Sequence, residues 1–274
     1  MSDTINTAQG ALPIDDELAA GFSPDALNIK YSSTQVRPDA LLRLQRTHGV
    51  VKADRSELTE AFKMLRNQVL QRMRADGFTL LAVTSPRRIE GKSLTALNLA
   101  LTMAADYDAA VLLVDADMSG QGLQAMFGFD GAPGLSDHLT NATPINELLI
   151  NPGVPRFVLL PAGQKSVLNS AELLSTKLAQ QLIQEMKERY QDRYIIIDLP
   201  PLLDTADALA FLPQVETTLV VVEEHTTSIT DLEKMADLLA PFNLIGTVMS
   251  RGRKKENAEG HNRKPWYRKL LSRR

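Results

Sequence analysis

The sequence has no cysteine. That removes disulfide scaffolds, cysteine nucleophiles, iron–sulfur clusters and thiolate zinc sites, and it suits a reducing compartment. Histidine is scarce: His48, His138, His225 and His261 are the full set, and no two stand at metal-ligand spacing. A zinc hydrolase is excluded on that ground. No apolar run reaches the roughly 18 residues that a membrane span requires. Residues 1–10 are polar, with no basic region leading into an apolar one, so they do not read as a secretion signal. Together these absences predict a cytoplasmic protein. What remains is ordinary globular material: 274 residues, 44% hydrophobic and 23% charged, enough for one large α/β domain.

The formal net charge of -3 hides an uneven distribution. Residues 251–274 hold ten Lys/Arg against Glu256 and Glu259, leaving the rest of the chain acidic. A basic tail on an acidic body predicts attraction to an anionic surface, and Trp266 among these bases suits contact with a membrane face. The absence of a recognition motif and the acidic body speak against nucleic acid. Three regions follow: a flexible N-terminal arm over residues 1–50, a folded domain over 51–250, and the basic tail over 251–274. The arm is read from the mix of Asp, Ser, Thr, Pro and Gly that opens the chain. The domain begins with Asp54-Arg55-Ser56-Glu57, a possible capping box, then Leu58, Phe62, Leu65, Val69 and Met73 at helical spacing, closed by Gly77.

Beyond Gly77 the pattern changes to short, continuous apolar runs: Leu80–Thr84, Val111–Val114, Phe157–Leu160, Tyr194–Ile197, Thr218–Val222 and Leu244–Val248. Continuous rather than alternating runs mean strands buried on both faces. The helical patterns between them predict an α/β, doubly wound, mainly parallel sheet with helices on both faces. Ligands of such sheets lie at the carboxyl ends of the strands, and there the polar residues are informative. The first run leads into Ser85-Pro86-Arg87-Arg88-Ile89-Glu90-Gly91-Lys92-Ser93 and then a helix, which reads as a phosphate-binding loop. Lys92 is placed to reach outer phosphates and the Ser93 hydroxyl to hold Mg²⁺. The second run ends in Asp115-Ala116-Asp117, the fourth in Asp198-Leu199-Pro200-Pro201. Carboxylates at the same edge as a phosphate loop suit metal binding or proton removal.

With these motifs in order, the sequence resembles the cytoplasmic domain of the bacterial tyrosine kinases of capsule and exopolysaccharide synthesis, over roughly Glu57 to Arg251. Gly91-Lys92-Ser93 through Asn98-Leu99-Ala100 resembles that family's Walker A loop and helix, Val111 to Asp117 its Walker A′ motif, and Ile195 to Pro201 with Asp207-Ala208 its Walker B region. Phe127-Gly128, Gly134 to Leu139 and Asn169 to Leu174 resemble its intervening segments, and Glu60 to Arg66 its self-association helix. The resemblance implies a P-loop NTPase-like fold and an Mg-ATP-dependent protein tyrosine kinase. Arg87, Arg88, Glu90, Gly91, Lys92, Ser93 and Leu94 would line the nucleotide. Lys92, Asp115 and Asp117 would be catalytic, Asp115 as base. Ser93, Asp117 and Asp198 would hold Mg²⁺. It also implies a homo-oligomer through Glu60, Lys63 and Arg66, a membrane chain-length regulator as activator, and work at the inner face of the plasma membrane.

Several residues depart from the family's pattern. Arg88-Ile89 replaces Pro-Gly, and a β-branched residue resists the positive φ that glycine accepts. Ser119 stands where Arg is usual, Ser250 where an Asn reads adenine, and Lys63 where Arg is usual. Where the family has a tyrosine cluster, the tail has Tyr267 alone as candidate phosphoacceptor. Two other readings follow from these departures: a nucleotide-binding pseudokinase of the polysaccharide machinery, and a partitioning-type P-loop ATPase, although Arg87 replaces the latter's signature lysine.

Overall fold

A computed structural model of the chain describes residues 34–52, 54–106, 109–118, 122–163, 170–189 and 193–250. The tail, with Trp266 and Tyr267, lies outside the described residues, as do Ser119 and Asn169.

Each predicted apolar run is a strand: β2 (Leu80–Thr84), β3 (Ala110–Asp115), β5 (Phe157–Leu160), β6 (Arg193–Asp198), β7 (Thr217–Glu223) and β8 (Leu244–Ser250). Two short strands, β1 (Gln35–Val36) and β4 (Ile150–Asn151), complete an eight-stranded sheet in the order β1-β4-β5-β3-β6-β2-β7-β8. All pairings are parallel except β4 with β5. The period of two explains the continuous runs. Leu81, Val83, Val111, Leu113 and Ile196 face one buried cluster, while Leu80, Ala82, Leu112, Val114 and Ile197 face the other. Helices α1 (Asp39–Thr47), α2 (Glu57–Asp76) and α3 (Lys92–Ala104) contribute to the first cluster. On the opposite face lie α8 (Lys177–Arg189), α9 (Asp207–Phe211) and α10 (Ile229–Leu239). Short helices α4 (Leu123–Phe127), α5 (Leu135–Asn141), α6 (Ile145–Leu148) and α7 (Ser170–Leu174) fill the connections.

The start of α2 differs in detail from the capping box suggested by the sequence. Ser56 is the N-cap, accepting from the Thr59 amide, and Asp54 supports it by accepting from the Ser56 amide and hydroxyl. Gly77 ends the helix as expected, at φ 70.

The segment read as an arm through residue 50 carries ordered elements from residue 35 on. The Gln35 amide donates to the Leu149 carbonyl and the Arg37 amide to that of Asn151, while Ala40 and Leu44 on α1 are buried. Asn98, fully buried on α3, binds both the Val51 amide and the Gly49 carbonyl, tying the chain after α1 to the central helix. The signal was the Ala40–Leu44 spacing, too short to stand out beside a Pro-, Ser- and Thr-rich neighbourhood. Leu44→Ala is therefore expected to lower unfolding stability by about 2–5 kcal/mol in urea denaturation. A change within about 0.5 kcal/mol would detach this segment from the folded unit.

Candidate functional site

The central strands β2, β3 and β6 end side by side, and the polar residues after them meet. β2 is buried throughout and delivers Ser85 to the start of a tight loop. The loop closes at Gly91, whose φ of 86 is open to glycine, and α3 begins at Lys92. The first helical bond at this end runs from the Thr95 amide to the Gly91 carbonyl. The helix offers no acceptors for the amides of Lys92, Ser93 and Leu94, which makes this end a place for an anion.

Lys92 curls back into the sheet edge. Its ammonium lies 2.8 Å from Asp117 Oδ2, 3.2 Å from Ser93 Oγ and 3.7 Å from Asp198 Oδ1. Asp115 and Asp198 are neighbours in the β3–β6 register and are both fully buried. Asp115 is well satisfied: Oδ1 accepts the Asp117 amide at 3.2 Å and Oδ2 the Gln124 amide at 2.8 Å. Gly122 permits that approach, because a Cβ there would stand 2.7 Å from Asp115 Oδ1. Neither oxygen of Asp198 has a hydrogen-bond partner among the described residues.

Burial governs the charge states here. It pushes the Asp115 carboxyl up to about 8, with the negative charge of Asp198 adding to the rise. It pushes Asp198 up to about 6 against the opposing pull of Lys92. Burial alone would lower Lys92, but the carboxylates of Asp198, Asp117 and Asp115 outweigh it and hold the ammonium above its ordinary value. A buried carboxylate without hydrogen bonds is costly, and Lys92 at 3.7 Å offsets part of its charge, so Asp198 fits a site that a cation completes. The donors around it, Ser93, Asp117 and Asp198, carry hard oxygen. Among the described residues no group of three or more His, Asp or Glu forms a metal cage. Two carboxylates and a hydroxyl nonetheless suit Mg²⁺, which binds through one or two carboxylates plus waters and phosphate oxygens.

The other expected residues fall in different places. Arg87 belongs to the loop, but its guanidinium is engaged by Asp204 and Asp231, at 2.8 Å each. Arg88 donates its amide to Asp204, and Glu90 is buried with its carboxylate turned onto the Arg87 amide and the Thr227 hydroxyl. These side chains shape the loop as placed. Ile89 does adopt φ 70, and the residue is 92% exposed. That backbone conformation costs on the order of 1–3 kcal/mol for a residue other than glycine. Ser250 spends its hydroxyl on the Glu90 carbonyl at 2.6 Å. On α2, Glu60 and Lys63 pair with each other at 2.9 Å, exposed, while Arg66 reaches the Thr102 carbonyl at the end of α3. Asp204, Thr227, Asp231 and Gln124 were not singled out in the sequence. They lie outside the motifs, and only the fold brings them to the loop.

The raised carboxyls set a pH dependence. Folding favours the protonated form of Asp115, so its stabilising contribution is present below the unfolded value of 3.8 and is lost as pH rises through about 8; Asp198 acts in the same direction through about 6. The ligand-free protein should lose denaturant resistance between about pH 5 and pH 8.5, and Asp115→Asn should flatten that decline. Parallel profiles for the two proteins would contradict the assignment.

Over residues 79–251 the chain matches the protein family described as ParA: NUBPL iron-transfer P-loop NTPase. It is 29% identical, over 64% of its length, to Tyrosine-protein kinase ptk of Acinetobacter johnsonii, of which it spans 23%. It is 25% identical, over 72% of its length, to Putative tyrosine-protein kinase CapB of Staphylococcus aureus, of which it spans 86%. The crystal structure of the VpsO kinase domain superposes with a TM-score of 0.64 at 26% identity, covering 72% of this chain and 96% of that one. The resemblance to bacterial tyrosine kinases is thus borne out beside the parallel P-loop fold. The chain belongs to this family of P-loop NTPases, and the relatives it resembles within it carry the name tyrosine-protein kinase.

Proposed function

We propose that the protein is an Mg-ATP-dependent protein tyrosine kinase that regulates exopolysaccharide or capsule synthesis and export. The observation that carries this reading is the Lys92 ammonium at the head of α3, 2.8 Å from Asp117 and 3.7 Å from an otherwise unpartnered Asp198. Phosphoryl transfer asks mainly for positioning and charge neutralisation, and this arrangement supplies both. The amides at residues 92–94 cradle the phosphates, and Lys92 neutralises charge on the outer ones. Ser93, Asp117 and Asp198 would hold Mg²⁺, which when bound neutralises charge on the phosphate oxygens. The bond from the γ-phosphorus to the ADP oxygen breaks as the bond from phosphorus to the tyrosyl oxygen forms, and the phenolic proton is released. A loose transition state demands little of a base. A base must nevertheless reach the proton it takes, and Asp115 is fully buried with both oxygens on backbone amides. We therefore move Asp115 from base to positioning group: it fixes the Asp117 backbone and the start of α4.

Activation would come from a membrane chain-length regulator, and self-association would use the α2 face, where Glu60 and Lys63 remain exposed. The basic tail would sit against the inner membrane face. Ile89 and the single tail tyrosine favour, as second reading, a pseudokinase that keeps the nucleotide site.

Purified protein incubated with Mg-ATP and the cytoplasmic piece of its activator should accumulate phosphotyrosine. Lys92→Met should reduce it by about 100-fold or more, and Tyr267→Phe should remove the tail signal. Phosphotyrosine that survives in Lys92→Met would overturn the catalytic assignment, and ATP binding without phosphotyrosine would select the pseudokinase.

A further inference from the structure

The loop before Lys92 is held by more bonds than a phosphate cradle needs. Arg87 spreads its guanidinium between carboxylates from two separate elements, Nη1 to Asp204 Oδ1 in the loop after β6 and Nη2 to Asp231 Oδ1 in the first turn of α10. The second oxygen of Asp204 accepts the Arg88 amide at 3.0 Å. Glu90 accepts the Arg87 amide at 3.0 Å. These bonds converge on residues 87, 88 and 90. The residue they bracket is Ile89, at φ 70 and almost wholly in solvent.

An isolated surface ion pair contributes little. Here one planar guanidinium engages two carboxylates, and one of those also binds the adjacent amide, so the contacts form a network rather than a pair. Without it, Ile89 would relax to negative φ and turn its neighbours away from the α3 N-terminus. The same contacts absorb the charge of Arg87, which as placed serves the loop rather than a phosphate.

We propose that Asp204 and Asp231 are positioning residues: acting through Arg87, they lock the phosphate loop into its strained, phosphate-ready shape before nucleotide arrives, so that isoleucine can stand where glycine is expected. The inference rests on the nucleotide site proposed above and deepens it, since loop order then comes from the protein rather than from the ligand.

The test uses the full chain and three variants: Asp204→Asn/Asp231→Asn, Ile89→Gly, and the combination of all three substitutions. Trypsin cleavage at the Arg88–Ile89 bond of the ligand-free protein, followed by mass spectrometry, reports loop order without nucleotide. Titration with a fluorescent ADP analogue and Mg²⁺ reports the site. The double variant should be cut about tenfold faster and bind ADP about tenfold more weakly. Adding Ile89→Gly should bring affinity back to within about threefold of the wild type, because glycine takes φ 70 without strain and needs no clamp. A general loss of fold would not be repaired that way. The proposal is overturned if the double variant stays within about twofold of wild type in cleavage, or if Ile89→Gly fails to restore affinity. Should the wild type not bind ADP at all, the nucleotide reading falls, and the trypsin comparison alone decides the clamp.

Discussion

Two carboxylates, Asp115 and Asp198, end adjacent parallel strands and lie fully buried beside each other, with the Lys92 ammonium as the nearby cation. The remaining features of the site answer that concentration of negative charge. Two backbone amides satisfy Asp115, and Gly122 keeps clear of it. Lys92 is drawn down from the helix terminus to Asp117 and toward Asp198. Both carboxyls rise well above the ordinary aspartate range because the sheet edge removes them from water. Of Asp115, Asp117 and Asp198, it is Asp198 that has neither oxygen hydrogen-bonded among the described residues, which suits a carboxylate that a cation would complete.

Around this charged centre the loop is held by bonds from several elements. Ile89 holds a glycine-like backbone angle, and Ser250 ties the end of β8 to the Glu90 carbonyl. Bonds from the chain after β6, from β8, and from the segment joining β7 to α10 all meet on seven consecutive residues, 85–91. Two of the departures from the kinase family's pattern act on this loop: the Arg88 amide donates to Asp204 and the Ser250 hydroxyl to the Glu90 carbonyl.

Much of the fold was legible because the strands are buried on both faces, which leaves uninterrupted apolar runs in the sequence. The two strands that escaped notice, Gln35–Val36 and Ile150–Asn151, are only two residues long, and no periodicity can register in so short a stretch. Lys92, Ser93, Asp117 and Asp198 were legible because strand-end chemistry is local: a run stops and a charged residue follows. The roles of Arg87 and Glu90 were not, since their partners Asp204, Asp231 and Thr227 lie more than a hundred residues away. Asp115 was legible as a site residue, but the satisfaction of both its oxygens depends on Gln124, whose amide carries no sequence signal.

If Asp198 holds the cation, as proposed, its replacement must uncouple nucleotide binding from Mg²⁺. Calorimetric titration of ADP into the wild type and Asp198→Asn, each with and without Mg²⁺, reads that coupling. Mg²⁺ should tighten ADP binding to the wild type, and this enhancement should disappear in Asp198→Asn while metal-free binding persists. An Mg²⁺ enhancement of equal size in both proteins would remove Asp198 from the metal site.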